Sequence, residues 1–278
     1  MIEIKNLNFK YPGKPLLFKD LNLKLNRGHI YGLLGKNGAG KTTLLKNMIG
    51  LVFPKSGTCR LNGINVTNRP VSVLADIYLI AEELYVPAIT PAQFESGTCA
   101  FYPNFSKTDF YKYLTALDVD RDAAMDKQSY GQQKKAMIAF GLATNTRMLI
   151  MDEPTNGLDI PSKAQFRKLI ASVLTEHRCI VISTHQVRDL DNLIDTLLVL
   201  NEREIVINLP VDEIVEKISF GLFADTAGLP VLYEEDSMRG KNAILRNTTG
   251  KYGKVDLELL FNAITIGNNP VIQTLKAL

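Results

Sequence analysis

A glycine-rich segment that ends in a lysine and a threonine is the first stretch of the chain whose residue types could do chemistry. Its spacing is GxxxxGK[ST], formed by Gly35, Lys36, Asn37, Gly38, Ala39, Gly40, Lys41 and Thr42. Triphosphate oxygens must be met by several backbone N–H groups at once, and glycines leave that approach open. Lys41 would reach the β and γ phosphates of a nucleotide, and the Thr42 hydroxyl would ligate Mg²⁺. We therefore predict a site for ATP and Mg²⁺ here, extending to Thr43.

Two adjacent carboxylates follow a short apolar run. Residues 148–151 are apolar, and Asp152 and Glu153 come directly after them. A buried strand that ends in acids delivers them to the carboxyl edge of a sheet, where ligands bind in α/β folds. Asp152 would hold Mg²⁺ through water, and Glu153 would act as general base toward the attacking water. The plainer alternative is a strand that runs into a polar loop, and the glycine-rich segment upstream argues against it.

A histidine, His185, comes shortly after another apolar run at 179–183. At the carboxyl end of a strand, its imidazole could reach the γ-phosphate and report its presence. The residue by itself leaves the alternative open, because a lone histidine is more often a satisfied structural residue.

The elements that must position these residues alternate between strands and helices. Apolar and polar side chains alternate over the first 25 residues, which predicts half-buried antiparallel strands. Longer apolar runs predict buried strands of a parallel sheet. These predicted strands are 29–34, 148–151, 179–183 and 196–200, and the predicted helices are 42–49 and 163–174. This order favours an α/β fold with a mainly parallel sheet.

Two segments depart from this alternation. Residues 87–142 look mostly helical, with prolines as breakers and many aromatic rings, and we interpret them as an inserted α-helical subdomain. The rings would form its core, with an exposed minority left for a partner. Beyond Pro210 the sequence predicts a helix near 211–218, weak strands near 231–233 and 243–245, and a helix near 256–264. We predict a nucleotide-binding domain over 1–210 and a small C-terminal α+β accessory region over 211–278.

The composition excludes several classes of protein. The 278 residues are 46% hydrophobic and 22% charged, which is typical of a globular protein and not of a disordered chain. The net charge of +3 is too balanced to favour nucleic acid as a partner, and none is expected. The three cysteines are spaced as free thiols of a reducing compartment. Since no apolar stretch approaches about 20 residues, any membrane crossing would have to come from another polypeptide.

Four further motifs carry a resemblance to a known family. Residues 127–133, with Ser129, Gly131 and Gln132, resemble the signature motif of ABC ATPases, usually written LSGGQ. Residues 156–159 look like the family's D-loop, and His185 matches its switch histidine. Tyr11 matches the aromatic residue that stacks on adenine. The motifs stand in the family's order over roughly residues 1–210, and the C-terminal extension is similar to that of single-cassette bacterial transporters of the ABC-2 type.

The resemblance implies a fold, partners and a mechanism. The fold would be a P-loop NTPase core with an N-terminal antiparallel β subdomain, an inserted α-helical subdomain and a small C-terminal α+β extension. Two cassettes would close head to tail around two ATP molecules, so that Ser129 and Gly131 of one touch the γ-phosphate held by Lys41 of the other. Asp159 would link the two sites. A homodimer is expected, and a heterodimer with a related cassette stays open. The second partner would be a transmembrane permease subunit, which would place the chain in the cytoplasm, peripheral on the inner face of the cell membrane.

Three positions depart from the family's pattern. Tyr130 replaces the first signature glycine and Gln128 the leucine, whereas Gly131 is kept. In the Q-loop, Glu82 stands where the family usually has glutamine, and Glu83 takes that position if the alignment shifts by one. A carboxylate can still ligate Mg²⁺, so Glu82 completes the predicted metal set with Thr42 and Asp152.

The predicted function is an ATP-hydrolysing subunit of an ABC transporter. A soluble ABC-type ATPase that acts in assembly of a cellular complex is the alternative. A module that binds ATP without turnover is disfavoured, because silent cassettes usually lack the carboxylate of Glu153.

Overall fold

The computed structural model describes residues 1–267 and 269–277, and Asn269 only by its backbone. The chain forms two compact units. The first consists of Met1–Ile30 and Thr42–Thr184, and the second of Tyr31–Lys41 and His185–Leu278.

The strands and helices follow one another along the chain. The strands are β1 (Ile2–Phe9), β2 (Phe18–Leu25), β3 (His29–Leu34), β4 (Ser56–Leu61), β5 (Ile64–Asn65), β6 (Ile77–Ile80), β7 (Met148–Asp152), β8 (Cys179–Thr184), β9 (Thr196–Asn201), β10 (Glu204–Pro210), β11 (Ile218–Phe223), β12 (Val231–Ser237) and β13 (Gly240–Arg246). The helices are α1 (Lys41–Met48), α2 (Val71–Leu74), α3 (Pro91–Thr98), α4 (Lys107–Ala116), α5 (Tyr130–Ala143), α6 (Ile160–Ser172), α7 (Val211–Lys217), α8 (Leu257–Thr265) and α9 (Asn269–Lys276).

An antiparallel sheet in the first unit contains the N-terminal strands, in the order β2-β1-β4-β5. Ile4 of β1 lies opposite Leu23 on one side and Cys59 on the other. All three side chains are buried, whereas the intervening lysines of β1 and β2 are exposed. The predicted alternation of apolar and polar positions is therefore confirmed, because only one face of this sheet packs on the core.

A parallel set of strands, β6-β7-β8, lies in the same unit. The four apolar residues of β7 have no exposed surface, as expected for a strand covered on both faces. The register pairs Asp152 with Ser183, so the carboxyl ends of β7 and β8 lie side by side. This register decides which side chains meet the acidic pair.

Helices α3, α4 and α5 form the predicted helical segment. Thr90 and Gln93 make a reciprocal cap at the start of α3, and Ser106 caps α4. The aromatic rings gather around Phe140 of α5, with centroid distances of 4.9 to 6.1 Å. These rings are those of Tyr78, Phe94, Tyr102, Phe105 and Phe110. Most of the aromatic residues thus form a core, and Phe101 is an exposed exception.

The second unit contains the end of β3, which pairs in parallel with β9, and β10, which is antiparallel to β9. A separate antiparallel sheet has the order β11-β13-β12. The predicted C-terminal helices and strands correspond to α7, β12, β13 and α8. Strand β11 and helix α9 were not predicted. The apolar residues Ile218, Phe220 and Leu222 of β11 alternate with Ser219 and Gly221, so the sequence carries a period-two signal that the prediction overlooked.

Within the part of the chain that the structure describes, no helix combines the length and the apolar character needed to cross a bilayer.

Candidate functional site

The glycine-rich loop joins β3 to α1 and has the backbone geometry that its glycines allow. Gly38 and Gly40 have φ angles of +79° and +108°, which side chains with a Cβ rarely adopt. The Lys41 ammonium donates a hydrogen bond of 2.8 Å to the carbonyl of Gly35 and is buried. A Cβ on Gly35 would lie 2.8 Å from the carbonyl oxygen of Leu200, at the end of β9. The Lys41 side chain therefore bonds back to the first residue of its own loop.

The second residue of the loop contacts the C-terminal region. Lys36 Nζ donates a hydrogen bond of 3.1 Å to the carbonyl of Thr265, the last residue of α8. A cation at the C-terminal end of a helix is stabilised by the free carbonyl groups there. Sequence reasoning missed this contact, because nothing in residues 256–264 indicates where the helix ends in space.

The magnesium-site candidates Thr42 and Asp152 meet in the first unit. Thr42 Oγ1 donates a hydrogen bond of 2.5 Å to Asp152 Oδ2. The Ser183 hydroxyl donates to the other carboxylate oxygen, Asp152 Oδ1. The Asp152 side chain is thus held from both sides. Sequence reasoning missed Ser183, although its place at the end of the neighbouring predicted strand was a usable signal.

The Glu153 carboxylate is held by the next residue of β8. Thr184 Oγ1 donates a hydrogen bond of 2.9 Å to Glu153 Oε2. The backbone N–H of Glu153 donates to the carbonyl of Ser183 at 3.0 Å. The φ angle of Glu153 is +47°, in the left-handed region that costs energy for a residue with a Cβ. Its conformation is therefore imposed by the surroundings, which is common at functional sites.

A cavity of about 360 Å³ lies beside this pair. It is lined by Thr42, Leu45, Lys46, Leu79, Ala81, Glu82, Glu83 and Asp152. Both candidates for the Q-loop position therefore border the same space. Mg²⁺ in nucleotide sites takes few protein ligands and keeps waters and phosphate oxygens as the rest. The hydroxyl of Thr42 and the carboxylate of Asp152 fit that ion as such a small ligand set. Among the described residues, no three acidic, histidine or cysteine side chains form a metal-binding group, so Glu82 and Glu83 border the cavity without closing a cluster there.

Tyr11, the candidate for adenine stacking, is near the start of α1. Its hydroxyl shares a hydrogen bond of 3.1 Å with Thr43 Oγ1. Its ring meets Phe9 edge to face, with the centroids 4.9 Å apart. The side chain is 39% exposed, so the ring offers accessible surface next to the second threonine of the loop.

The signature residues lie at the start of α5. Ser129 is exposed and caps the helix, accepting a hydrogen bond of 3.3 Å from the N–H of Gln132. A Cβ on Gly131 would lie 2.8 Å from the carbonyl oxygen of Gly157, so this end of α5 nearly touches the segment after Glu153. A serine hydroxyl and a helix N-terminus at the surface are suited to contact an anion.

Asp159 and His185 occupy different units. Asp159 caps α6, which starts three residues earlier than predicted because Asp159 accepts a hydrogen bond of 3.0 Å from the N–H of Ser162. The hydrogen bonds from Ser162 lower the pKa of the Asp159 carboxyl. His185 is exposed and directly follows β8, at the start of a stretch of the second unit.

The first unit thus brings together the hydroxyl of Thr42, the acidic pair and the two glutamates of the cavity. The same unit brings Tyr11 to Thr43, and the signature helix to the loop that contains Gly157. Lys41 and His185 belong to the second unit.

A comparison with known proteins decides the family. The family profile described as "ABC transporter" matches residues 18–156, which is half of the chain. The chain belongs to the ABC transporter family. This ABC transporter subunit is 30% identical over 227 residues to the bacitracin transport ATP-binding protein BcrA of Enterococcus faecalis, covering 77% of this chain and 70% of BcrA.

Two further likenesses agree with this assignment. The ABC transporter subunit is 26% identical over 218 residues to the ABC transporter ATP-binding protein YtrB of Bacillus subtilis, covering 78% of this chain and 74% of YtrB. Its fold is similar to that of MJ0796, a bacterial ABC transporter cassette solved as a dimer, with a TM-score of 0.67 and 19% identity over 76% of this chain and 98% of that one. The predicted P-loop NTPase fold is confirmed.

The family also fixes the activity. The chain is an ATP-binding and ATP-hydrolysing subunit of an ABC transporter. The alternative of a soluble ATPase that assembles a cellular complex is not what these relatives support.

Proposed function

We propose that this subunit hydrolyses ATP with Mg²⁺ held by Thr42 and Asp152, and with Glu153 as general base. The observation that carries the proposal is the paired arrangement at the ends of β7 and β8. One acid of the pair bonds the loop threonine at 2.5 Å, and the other is oriented by Thr184 at 2.9 Å. The two adjacent carboxylates therefore have different partners: Asp152 contacts Thr42, and Glu153 contacts Thr184.

The residues divide the reaction between them. Glu153 accepts the proton of the attacking water, and the Lys41 ammonium and the loop N–H groups take the charge of the β and γ phosphates. Mg²⁺, when bound, would supply further positive charge at the phosphates. Asp152 and Thr42 are its candidate ligands, with Glu82 as a third from the cavity wall. His185 contacts the γ-phosphate, and Tyr11 stacks on the adenine.

A second cassette completes the site. Ser129 is exposed at the start of α5, and Gly131 and Gln132 follow in the first turn of the helix. A serine hydroxyl and the N–H groups of a helix N-terminus are suited to bind an anion. We place them on the γ-phosphate bound by the other copy, with Asp159 between the two sites. Because each chain carries one complete set of motifs, a homodimer would have two complete sites. The dimer drives a transmembrane subunit from the inner face of the membrane.

Residues 1–210 form the nucleotide-binding domain in this proposal, and 211–278 the accessory region. The end of β10 at Pro210 and the start of α7 at Val211 support the boundary.

Phosphate release by the purified full chain tests the assignment of the base. Glu153→Gln is expected to lower kcat by at least about 100-fold, because a general base contributes about 10²–10⁴ in rate. The same variant is expected to form an ATP-dependent dimer in size-exclusion chromatography. Glu176→Gln, which changes an exposed glutamate outside the site, is the matched control and retains the wild-type rate. Equal rates for Glu153→Gln and wild type would show that another group is the base.

A further inference from the structure

A buried lysine, Lys134, lies one turn into α5 and has no exposed surface. Lysine is almost never fully buried unless it is paired, because desolvation of an ammonium group is costly. Burial lowers the pKa of Lys134, while the carboxylates of Glu82 and Glu153 oppose that shift. A buried ammonium group of this kind needs a specific acceptor for its N–H donors.

The acceptor is the backbone of the catalytic glutamate. Lys134 Nζ donates a hydrogen bond of 2.9 Å to the carbonyl oxygen of Glu153. Glu153 has the left-handed φ angle described above, and its N–H is bonded to the carbonyl of Ser183. The Lys134 ammonium therefore binds the C=O of Glu153, while Ser183 of β8 binds its N–H. An ammonium-to-carbonyl hydrogen bond is charge-assisted and stronger than a neutral one.

The second partner of the ammonium group is an aromatic ring. Lys134 Nζ lies 5.0 Å from the ring centroid of Tyr130, within the range of a cation–π contact. Tyr130 stands where the family's signature motif has a glycine. The ring therefore adds to this chain a contact that the usual residue does not offer.

The same tyrosine contacts two other segments of the site. Its hydroxyl donates a hydrogen bond of 2.5 Å to the carbonyl of Glu82 on the cavity wall. Its ring packs against Gly157, where a Cβ would lie 2.9 Å from Tyr130 Cδ1. Tyr130 thus contacts Glu82 and the loop at Gly157, and Lys134 contacts Glu153.

We propose that Lys134 is a positioning residue for Glu153, and that Tyr130 holds the Lys134 ammonium in place and connects it to the Glu82 segment. The inference rests on the proposed role of Glu153 as general base. The lysine acts through the peptide of Glu153, by keeping the carboxylate where it meets the attacking water. A displacement of about 1 Å can cost about 10²-fold in rate, so this hydrogen bond matters for turnover more than for ATP affinity.

A purely structural role for the lysine predicts a different result. In that case its loss lowers the stability of the fold and changes kcat no more than the loss of any other buried lysine on the same helix. Lys135 is the matched control, because it is 8% exposed and its ammonium lies 3.5 Å from the hydroxyl of Ser162, away from Glu153.

The experiment measures kcat and KM for ATP by phosphate release from the full chain, with the thermal midpoint of each variant. Lys134→Met, which nearly preserves volume, is expected to lower kcat about 10- to 100-fold with KM within about threefold. Lys134→Arg keeps a charged donor and is expected to recover part of the rate. Lys135→Met is expected to keep kcat within about twofold of wild type at a similar thermal midpoint.

A variant at the exposed tyrosine keeps the proposal testable if Lys134→Met fails to fold. Tyr130→Leu removes the ring from a side chain that is itself exposed, and is expected to lower kcat about three- to tenfold with KM nearly unchanged. Tyr130→Phe keeps the ring and is expected to fall between Tyr130→Leu and wild type. The double variant Tyr130→Leu/Lys134→Met is expected to be no slower than Lys134→Met alone, because the two residues act as one unit.

The outcomes separate this inference from the proposed function. If Glu153→Gln abolishes hydrolysis while Lys134→Met and Tyr130→Leu both keep the wild-type kcat, the positioning role is wrong. A rise in KM with unchanged kcat overturns it as well, since the lysine would then serve binding. Multiplicative losses in the double variant show that the two residues act independently. If Glu153→Gln itself retains the rate, the assignment of the base fails first.

Discussion

The hydroxyl of Thr42 donates a hydrogen bond of 2.5 Å to Asp152 Oδ2 across 110 positions of sequence. This contact joins the first helix after the glycine-rich loop to the end of a buried strand. It places the two magnesium-ligand candidates on one side of the cavity that Glu82 and Glu83 also border. Removal of either group should therefore alter the response of the subunit to the metal.

Thr42→Ala tests that relationship. The variant loses a ligand candidate and the donor to Asp152, so we expect the Mg²⁺ concentration for half-maximal hydrolysis to rise about tenfold, since such metal-site partners are worth about 10- to 100-fold in affinity. Phosphate release measured across a MgCl₂ titration at saturating ATP gives the value. Thr115→Ala, at an exposed threonine of α4, is the control. Identical titrations for Thr42→Ala and wild type would contradict the role.

Tyr11→Ala tests the adenine contact. Loss of the ring should raise the dissociation constant for ATP about fivefold or more, because an aromatic stack on a base contributes about 1–3 kcal/mol. Tyr11→Phe removes only the hydroxyl that bonds Thr43 and should bind ATP nearly as well as wild type. Titration with a fluorescent ATP analogue measures both variants. Equal affinity of Tyr11→Ala and Tyr11→Phe would show that the ring does not stack on the nucleotide.

Gly131→Ala tests the close approach of α5 to the loop after Glu153. The added Cβ would lie 2.8 Å from the Gly157 carbonyl oxygen, so α5 or the loop must move. We expect kcat to fall about tenfold or more, because displacement of catalytic groups by about 1 Å costs up to about 10²-fold. Phosphate release is the measurement.

Gly97→Ala is the matched control for that change. It also lies in a helix, but an added Cβ there meets nothing within 4 Å. The substitution should leave kcat unchanged and stabilise the fold by about 0.4–1 kcal/mol in urea unfolding. A full wild-type rate for Gly131→Ala would show that the loop accommodates the methyl group without disturbing the site.

Cys59→Ala tests the effect of a buried thiol on alkaline stability. Burial raises the pKa of Cys59 to about 12 from its ordinary value of 9.0. Between these values the unfolded chain has lost the proton that the folded chain keeps, so the free energy of unfolding falls as pH rises, by up to about 1.4 kcal/mol per pH unit. Below pH 9 the thiol contributes no pH dependence.

The measurement is urea unfolding at pH 8 and at pH 10.5. The free energy of unfolding of wild type, relative to that of Cys59→Ala, should be lower at pH 10.5 than at pH 8. Tyr78, whose pKa burial also raises, is present in both proteins and cancels from the comparison. A constant gap would show that Cys59 does not titrate on unfolding in this range.

Much of the local structure could be predicted because it is encoded by short-range patterns. The predicted alternation is found in β1 and β2. The helix after the glycine-rich loop and the buried strands at 148–152 and 179–184 lie within about two residues of their predicted bounds. Helix α6 began earlier than expected because its cap lies at Asp159, before the apolar pattern. Strand β11 and helix α9 were missed although each carries a periodic signal. Apolar residues alternate in β11, and the buried Val271 and Leu275 of α9 lie four positions apart.

The sequence by itself determined the chemistry of this protein. The spacing of the loop glycines, Lys41 and Thr42, and the acidic pair after an apolar run, require only residue types at fixed separations, because phosphate binding depends on backbone N–H groups and one ammonium. Those features, with the signature at Ser129 and Gly131, were sufficient to indicate an ABC ATPase.

The tertiary structure alone decided which distant groups support that chemistry. The register of β7 and β8 brings the Ser183 and Thr184 hydroxyls into contact with the carboxylates of Asp152 and Glu153. The packing of α5 brings the Lys134 ammonium to the carbonyl of Glu153. These contacts join residues from different strands and helices, whose meeting depends on sheet register and helix packing. Neither the sheet register nor the helix packing can be predicted from a local sequence pattern, since each depends on how the side chains of the whole core pack together.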